Sequence, residues 1–315
     1  MKLLGLDWGT TSLRIYTFNA KGLAVDLKTF PCGVASLMAK GEANFKNYVR
    51  IFKECTAGFE NIPAIACGTI GSPQGFLDAG YLGLPASLKS LQQAIKPVID
   101  DGKTLLHIIP GLYKNFHQGL NINNLPDLMR GEETQIAGAL SLGAVDDEDL
   151  IGLPGTHSKW VFLKNGLVDD FYSFMSGEGF AALREHSILK AKLKIDESFN
   201  EEAFMLGLNA GIKHHDLGLL NVIFSARTLA LSQDSELGAD YLFGVLLSYE
   251  LNALSHILKT KKIQPKSFKL ISSQRLKEPY GKALSQFFPG VKVVIIDGAT
   301  RAGLWGIAKG AGLLA

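Results

Sequence analysis

Continuous apolar runs at residues 3–6 and 150–153 each stop at a cluster of glycine and hydroxyl residues, which predicts two buried strands ending in turns. After each turn comes a strand-like run, a polar break at Asn19-Ala20-Lys21-Gly22 or Lys164-Asn165-Gly166, and a further strand at residues 23–30 or 167–175. The chain thus opens two halves with the same three-stranded meander. Elsewhere the apolar period becomes helical. Phe45, Tyr48, Val49, Phe52, Cys55 and Phe59 share one helical face, and residues 62–67 read as the next strand. A helix over 85–99 and a strand over 104–109 follow, and residues 110–127, rich in Gly, Asn and Pro, read as the passage towards the second half. Helical patterns then cover 177–189, 197–212, 225–233 and 237–258, with strands at 268–272 and 291–296.

The two turns align without a gap. Gly9-Thr10-Thr11-Ser12-Leu13-Arg14-Ile15-Tyr16 lies over Gly155-Thr156-His157-Ser158-Lys159-Trp160-Val161-Phe162, with Gly, Thr and Ser in register. Glycine lets the backbone approach an anion, while hydroxyls and exposed N–H groups donate to phosphate oxygens. One such turn is an ordinary hairpin; two, each opening a similar half, predict a clamp on a polyphosphate. Asp7, at the end of the first strand, is suited to hold Mg²⁺ beside those phosphates.

Composition narrows the partners. The 315 residues are 47% hydrophobic and 20% charged, long enough for two domains. Lys+Arg number 32 against 30 Asp+Glu, a formal charge of +2, and no basic run tracks a nucleic-acid backbone, so a small-molecule partner is favoured. Asp7 interrupts what a signal peptide would keep apolar, and Asp240 and Glu250 interrupt residues 237–258, which suit a core helix better than a membrane span. Cys32, Cys55 and Cys67 follow no metal-ligand or disulfide spacing and suit a reducing cytoplasm. There is no G-x-x-x-x-G-K-[ST]; Gly177-Glu178-Gly179-Phe180-Ala181-Ala182 imitates a dinucleotide turn but lacks the βαβ order around it. His214-His215-Asp216 are adjacent on a loop and lack the facing geometry of a metal site.

Four segments carry a resemblance: Leu6-Asp7-Trp8-Gly9-Thr10-Thr11-Ser12-Leu13-Arg14, Ala66-Cys67-Gly68-Thr69-Ile70-Gly71-Ser72-Pro73-Gln74-Gly75, Met129-Arg130-Gly131-Glu132-Glu133-Thr134-Gln135 and Leu153-Pro154-Gly155-Thr156-His157-Ser158-Lys159-Trp160. Phe174-Met175-Ser176-Gly177-Glu178, Leu183-Arg184 and His186-Ser187-Ile188-Leu189 extend it over nearly the whole chain. The sequence resembles the actin, sugar kinase and Hsp70 superfamily and, within it, the 2-dehydro-3-deoxygalactonokinases. Three departures stand out: Ser272-Ser273 where the family usually has Gly-Gly, Thr69-Ile70 for Met-Val, and Ser176 for Thr.

The resemblance implies an α/β fold of two ribonuclease-H-like (actin-like ATPase) lobes with a nucleotide cleft between them. Residues 1–128 would mainly bind a keto-deoxy sugar acid and residues 129–315 mainly ATP, with a last helix over 298–312 returning towards the first lobe and with Mg²⁺ as the second cofactor. The implied reaction is transfer of the γ-phosphate to the 6-hydroxyl of 2-dehydro-3-deoxygalactonate. Phosphates would rest on Gly9, Thr10, Thr11 and Ser12 and on Gly155, Thr156, His157, Ser158 and Lys159, with Ser272 and Ser273 on the adenosine side. Lys159 has an alternative, since strand alternation can send it to the other face. Glu132 or Glu133 would take the hydroxyl proton; as acids in the first turn of a helix, they could instead only complement its dipole. Arg130 is suited to a bidentate contact with the acceptor carboxylate or to an ordinary ion pair, and Gly33, Gly71, Ser72, Gln74 and Glu178 complete the expected acceptor contacts, with backbone capping as the alternative for Ser72 and Gln74 and a helix-surface pair or cap for Glu178. A polyphosphate-type hydrolase of the same superfamily and a non-catalytic nucleotide or sugar-acid sensor are the rival readings. The C4 epimer of the acceptor and the oligomeric state, a homo-oligomer included, stay open.

Overall fold

The computed structural model describes residues 1–115, 125–190, 198–231 and 238–314. In chain order the elements begin with β1 (Leu3–Trp8), β2 (Leu13–Phe18), β3 (Ala24–Phe30), α1 (Val34–Ala39), α2 (Phe45–Cys55), β4 (Ala64–Cys67) and β5 (Tyr81–Gly83). They continue with α3 (Leu88–Ala94), β6 (Lys96–Asp100), β7 (Lys103–Ile108), β8 (Gly111–Lys114), β9 (Asp127–Met129) and α4 (Glu132–Ser141). Next come β10 (Leu150–Leu153), β11 (Ser158–Lys164), β12 (Leu167–Phe174), α5 (Ser176–His186), α6 (Glu201–Lys213) and α7 (Leu219–Leu231). The last are α8 (Gly238–Lys261), β13 (Ser267–Leu270), α9 (Gln274–Phe287), β14 (Lys292–Ile295) and α10 (Ala299–Gly310).

Two compact units result. Unit one is Met1–Glu148, Phe162–Phe171 and Ile296–Ala315; unit two is Asp149–Val161 and Tyr172–Ile295. The first sheet runs β3-β2-β1-β4-β7-β6 and the second β12-β11-β10-β13-β14. The second order repeats the first strand for strand, and β6 is an added antiparallel edge. Parallel pairs β1–β4 and β4–β7 in one sheet answer β10–β13 and β13–β14 in the other. This is the α/β class of two ribonuclease-H-like sheets.

In unit one β1 and β4 are buried along nearly their whole length, as central parallel strands covered on both faces must be. Tyr48, Ile51 and Phe52 of α2 join Leu6, Trp8 and Leu106 in one core. α4 crosses α10 at backbone distance: a Cβ at Gly138 would lie 1.8 Å from the Ala299 carbonyl oxygen, and one at Gly303 1.9 Å from that of Thr134. That crossing draws residues 129–148 into unit one, where the sequence reading had put them with the second half.

The expected helix over 85–99 is shorter. Ser87 caps α3 by accepting from the Ser90 N–H, and the chain turns to strand β6 from Lys96, with Pro97 on a sheet edge where a missing N–H is tolerated. Where 110–127 was expected to be a passage, β8 pairs in parallel with β5 and antiparallel with β9 as a small sheet in the order β5-β8-β9; residues 116–124 lie outside the described residues. α1, β5 and β9 had no counterpart in the apolar pattern.

Unit two packs α6, α7 and α8 around Ala203, Val222, Tyr241, Leu242 and Val245. α6 starts later than expected because Asn200 caps it, accepting from the Ala203 N–H at 3.0 Å. α7 starts earlier, at Leu219; the expected ends at 197 and 233, and the start at 237, lie outside the described residues. α9 has Pro279 inside it, which hid a helix that the period alone did not reveal. Among the described residues no helix is long and apolar enough to cross a membrane.

Candidate active site

The first turn closes when the Gly9 N–H donates to the Ser12 carbonyl at 3.0 Å. The N–H groups of Val34 and Ala35 donate to the carbonyls of Gly9 and Thr10, which stitches the start of α1 under the turn. Gly33 makes this approach possible: a Cβ there would sit 2.3 Å from the Thr10 oxygen and 2.2 Å from the Thr11 carbonyl carbon. Gly33 therefore seats the turn, where the sequence had it touching the acceptor. On the outer side a Cβ at Gly9 would meet nothing nearer than the Ser12 oxygen at 3.9 Å, so a ligand has room to reach the backbone. The Thr10 hydroxyl also meets that of Thr69 at 3.0 Å.

Asp7 stands beside Cys67 in the β1–β4 register and accepts from Arg14 Nη1 at 3.0 Å through one oxygen. Burial pushes its carboxyl up, and the Arg14 charge and hydrogen bond oppose that. The Cys67 thiol is pushed up by its own burial and then by the charges of Asp7, Glu133 and Glu132, while a hydrogen bond with Thr134 opposes them. The approach of α4 to this strand runs through Gly68 and Gly131, both at positive φ (94° and 107°), with a Cβ at Gly131 only 3.4 Å from the Gly68 Cα.

The two glutamates that open α4 differ. Glu132 is half-buried and accepts from the Arg130 N–H at 3.0 Å with Oε2. Glu133 is 1% exposed; Oε2 accepts from the Gly131 N–H at 2.6 Å and Oε1 from the Thr134 hydroxyl at 2.9 Å. Burial, then the charge of Glu132, push the Glu133 carboxyl from 4.5 up to about 7. Because the folded chain holds this proton more tightly than the unfolded one, the stabilisation is complete below about pH 4.5 and is lost as pH rises through about 7. Glu133→Gln keeps the Gly131 bond and lets the Thr134 hydroxyl reverse, so it should remove this pH dependence, which amounts to at most about 3 kcal/mol. Urea unfolding of parent and variant at about pH 5 and pH 8 measures it; parallel changes in both would exclude Glu133 as the source.

Arg130 lies over the Tyr81 ring. Its Cζ lies 4.1 Å from the Tyr81 ring centroid, and Nη2 donates to the Gly80 carbonyl at 2.9 Å. Its Nη1, like the Ser72 hydroxyl, is buried without a hydrogen-bond partner among the described residues. Gly71 leaves that nitrogen its room, since a Cβ there would come within 2.8 Å of Nη1. Arg130, Gly71 and Ser72 are thus brought together. Gln74, on the same loop, has an exposed side chain and accepts from the Tyr48 hydroxyl through its carbonyl at 2.8 Å.

Unit two repeats the first turn's construction. The Glu178 N–H donates to the Thr156 carbonyl at 2.9 Å, and a Cβ at Gly177 would stand 2.3 Å from the Gly155 oxygen. Gly177 is the counterpart of Gly33, and Gly155 is open like Gly9, with nothing nearer to its Cβ position than the His157 oxygen at 4.0 Å. A cavity of about 820 Å³ spreads from Gly155 and Thr156 past Gly177 and Phe243 to Ser273 and Tyr280. Ser272, on the same loop, donates to the Ser273 carbonyl at 3.3 Å.

Three expected contacts in this half are placed differently. The Ser158 hydroxyl points inward and donates to Glu250 at 2.7 Å, and Lys159, a residue only 5% exposed, donates from its ammonium to Ser173 at 2.6 Å, because β11 is covered on both faces. Glu178, expected among the acceptor contacts, lies in unit two with its carboxylate bonded to the His157 ring. Nothing in the sequence pattern singles out Tyr280 or Phe243, and Glu250 stands in it only as an acid interrupting an apolar helix.

The family model described as 2-keto-3-deoxy-galactonokinase matches residues 7–307, from the Asp7 carboxylate into α10. The chain belongs to the 2-keto-3-deoxy-galactonokinase family. It is 29% identical over 315 residues to the Escherichia coli 2-dehydro-3-deoxygalactonokinase, covering 98% of this chain and 97% of that protein. A Rhizobium meliloti protein provisionally assigned the same activity is 30% identical over 311 residues, covering 96% and 95%. A crystal structure from Sinorhizobium meliloti, also provisionally assigned as a 2-dehydro-3-deoxygalactonokinase, superposes with a TM-score of 0.81 at 28% identity over 98% of each chain. At 12% identity, the Clostridium difficile activator of 2-hydroxyisocaproyl-CoA dehydratase shares the fold, with a TM-score of 0.50 over 98% of this chain and 93% of that one. The two open glycine turns therefore belong to a family named for a sugar-acid kinase.

Proposed function

We propose that this member of the 2-keto-3-deoxy-galactonokinase family transfers the γ-phosphoryl group of ATP to the 6-hydroxyl of 2-dehydro-3-deoxy-D-galactonate. The observation that carries the choice of a sugar acid is the pair Arg130 Nη1 and Ser72 Oγ, buried and without partners among the described residues. A buried donor left unmade costs about 1–3 kcal/mol, and an acceptor's carboxylate and hydroxyl oxygens complete both. In this reading unit two holds the nucleotide along its 820 Å³ cavity, with the phosphates reaching the open backbone at Gly155 and Thr156.

Glu132 is the base in this reading, and Glu133 is a clamp. A base must reach the acceptor hydroxyl, and Glu133 is enclosed with both oxygens engaged. As the bond from the sugar oxygen to the γ-phosphorus forms and the bond from phosphorus to the β,γ-bridging oxygen breaks, Glu132 accepts the hydroxyl proton and ADP leaves. Among the described residues no cluster of three or more His, Cys, Asp or Glu side chains offers a cage for a metal. Mg²⁺ fits this chain as an ion that arrives with the phosphates: Asp7, with one oxygen taken by Arg14, would hold it, and the ion would neutralise phosphate charge.

Asp7→Asn should keep the fold, because an amide oxygen still accepts from Arg14, and should lower kcat by about 10²-fold while raising the Mg²⁺ concentration needed. Initial rates against Mg²⁺ measure this; near-parental kcat at limiting Mg²⁺ removes Asp7 from the metal's neighbourhood. The reaction itself is tested by a coupled ADP-release screen over hexonate-derived keto acids, the gluconate epimer included. ADP release that requires a keto-deoxy sugar acid supports the kinase. Phosphate release without acceptor makes the protein a hydrolase, and binding without turnover makes it a sensor.

A further inference from the structure

Four donors from three elements of unit two, β11, α5 and α9, converge on one carboxylate of a fourth. Glu250, in α8 and 2% exposed, accepts from Ser158 Oγ at 2.7 Å, Trp160 Nε1 at 2.9 Å and the Tyr280 hydroxyl at 3.2 Å to each oxygen. Ser176, the first residue of α5, bonds it as well. Three of the four donors, all but Trp160, sit in or within a few residues of the cavity wall. Ser158 continues the chain from the Gly155-Thr156-His157 turn, Ser176 precedes the Gly177 that seats this turn, and Tyr280 of α9 lines the cavity's far side. α8 adds Phe243 to the same wall about two helical turns before Glu250.

A lone buried carboxylate is a poor device for stability alone. Its desolvation costs several kcal/mol, and apolar replacements of buried polar sets are often neutral or better. What it does supply is fixed geometry, because an ion accepting several hydrogen bonds locks every donor's place at once. We infer that Glu250 is a positioning residue that sets the second phosphate turn against α9, so that the phosphate end and the nucleoside end of one nucleotide are bound together. This rests on the reading that unit two holds the nucleotide.

The test uses the full chain and four variants: Ser158→Ala, Tyr280→Phe, Glu250→Gln and the double variant Ser158→Ala/Glu250→Gln. Glutamine can accept from Trp160 and Tyr280 with its oxygen and donate to Ser158 with its amide, so it is the conservative change. Dissociation constants for ATP and for adenosine are measured alongside melting temperature and the acceptor KM. Ser158→Ala, which frees only the turn, is expected to weaken ATP at least about 10-fold but adenosine less than about 2-fold. Tyr280→Phe, which frees only α9, should weaken both by a similar factor. Glu250→Gln should stay within about 3-fold of the parent, and the double variant should be no worse than Ser158→Ala. Acceptor KM should move in none of them. Equal losses of ATP and adenosine in Ser158→Ala, or a lower melting temperature with unchanged nucleotide affinities, would overturn the positioning role. A parent chain that binds neither ATP nor adenosine overturns the nucleotide reading first, and this inference with it.

Discussion

Glu132→Gln is expected to lose at least about 10²-fold in kcat while ATP affinity stays near that of the parent. Glutamine keeps the side chain's size and can still accept from the Arg130 N–H, so what disappears is the proton acceptor. A general base contributes about 10²–10⁴-fold to such transfers, whereas an acid that only complements a helix dipole contributes about 0.3–1 kcal/mol to stability and little to turnover. Glu133→Gln is the internal comparison: one residue away, but enclosed, it should change pH-dependent stability and leave kcat close to the parent's. Steady-state kinetics with a keto-deoxy sugar acid separate the two. If both variants turn over at the parent rate, the start of α4 holds no base. The next carboxylate to test is then Glu178, which the structure places beside the second turn with His157.

Gly155→Val should fold normally and bind ATP at least about 10²-fold more weakly. The protein itself has room, with no heavy atom closer to the added Cβ than 4.0 Å, and the residue's φ is not in the left-handed region. The branched side chain would fill the space through which phosphate reaches the turn's N–H groups. Hydrogen bonds to charged groups contribute about 1.5–3 kcal/mol each, so losing two costs about 10²-fold or more in affinity. Calorimetric titration with ATP, beside the acceptor KM, gives the contrast. A folded variant with unchanged ATP affinity would remove the second turn from the nucleotide site.

The parts legible in the sequence were those whose chemistry is local. A strand ending in Gly-Thr-x-Ser can be read from adjacent letters, and its second copy located the start of the second sheet. The pairing order around β10 repeats that around β1, as the duplication implied. What stayed hidden depends on contacts distant along the chain. Lys159 looked like a cation for phosphate because it follows the turn, yet the covering of β11 on both faces buries it against Ser173. Glu250 looked like a polar break in an apolar helix; its meaning lies in Ser158, Trp160 and Tyr280, which no spacing rule connects to it. Nor could residue order divide Glu132 from Glu133, because a one-residue step on a helix decides which side chain turns inward. The tail of the expected helix over 85–99 failed for a simpler reason. Lys96-Pro97-Val98 pairs with β7, and sheet pairing outweighs local helical periodicity.

The four glycines around the turns look alike as letters and differ in what they answer to. Gly33 and Gly177 are jammed against backbone, whereas Gly9 and Gly155 face open space. A saturation library scored once for protein abundance in cells and once for enzyme-dependent growth would therefore pull them apart. Alanine at Gly33 or Gly177 should deplete both scores, since the chain cannot close on itself. At Gly9 or Gly155 abundance should survive larger residues while growth does not. The gap between the two scores marks, without any bound molecule, which surface of each turn a ligand reads and which the polypeptide keeps for itself.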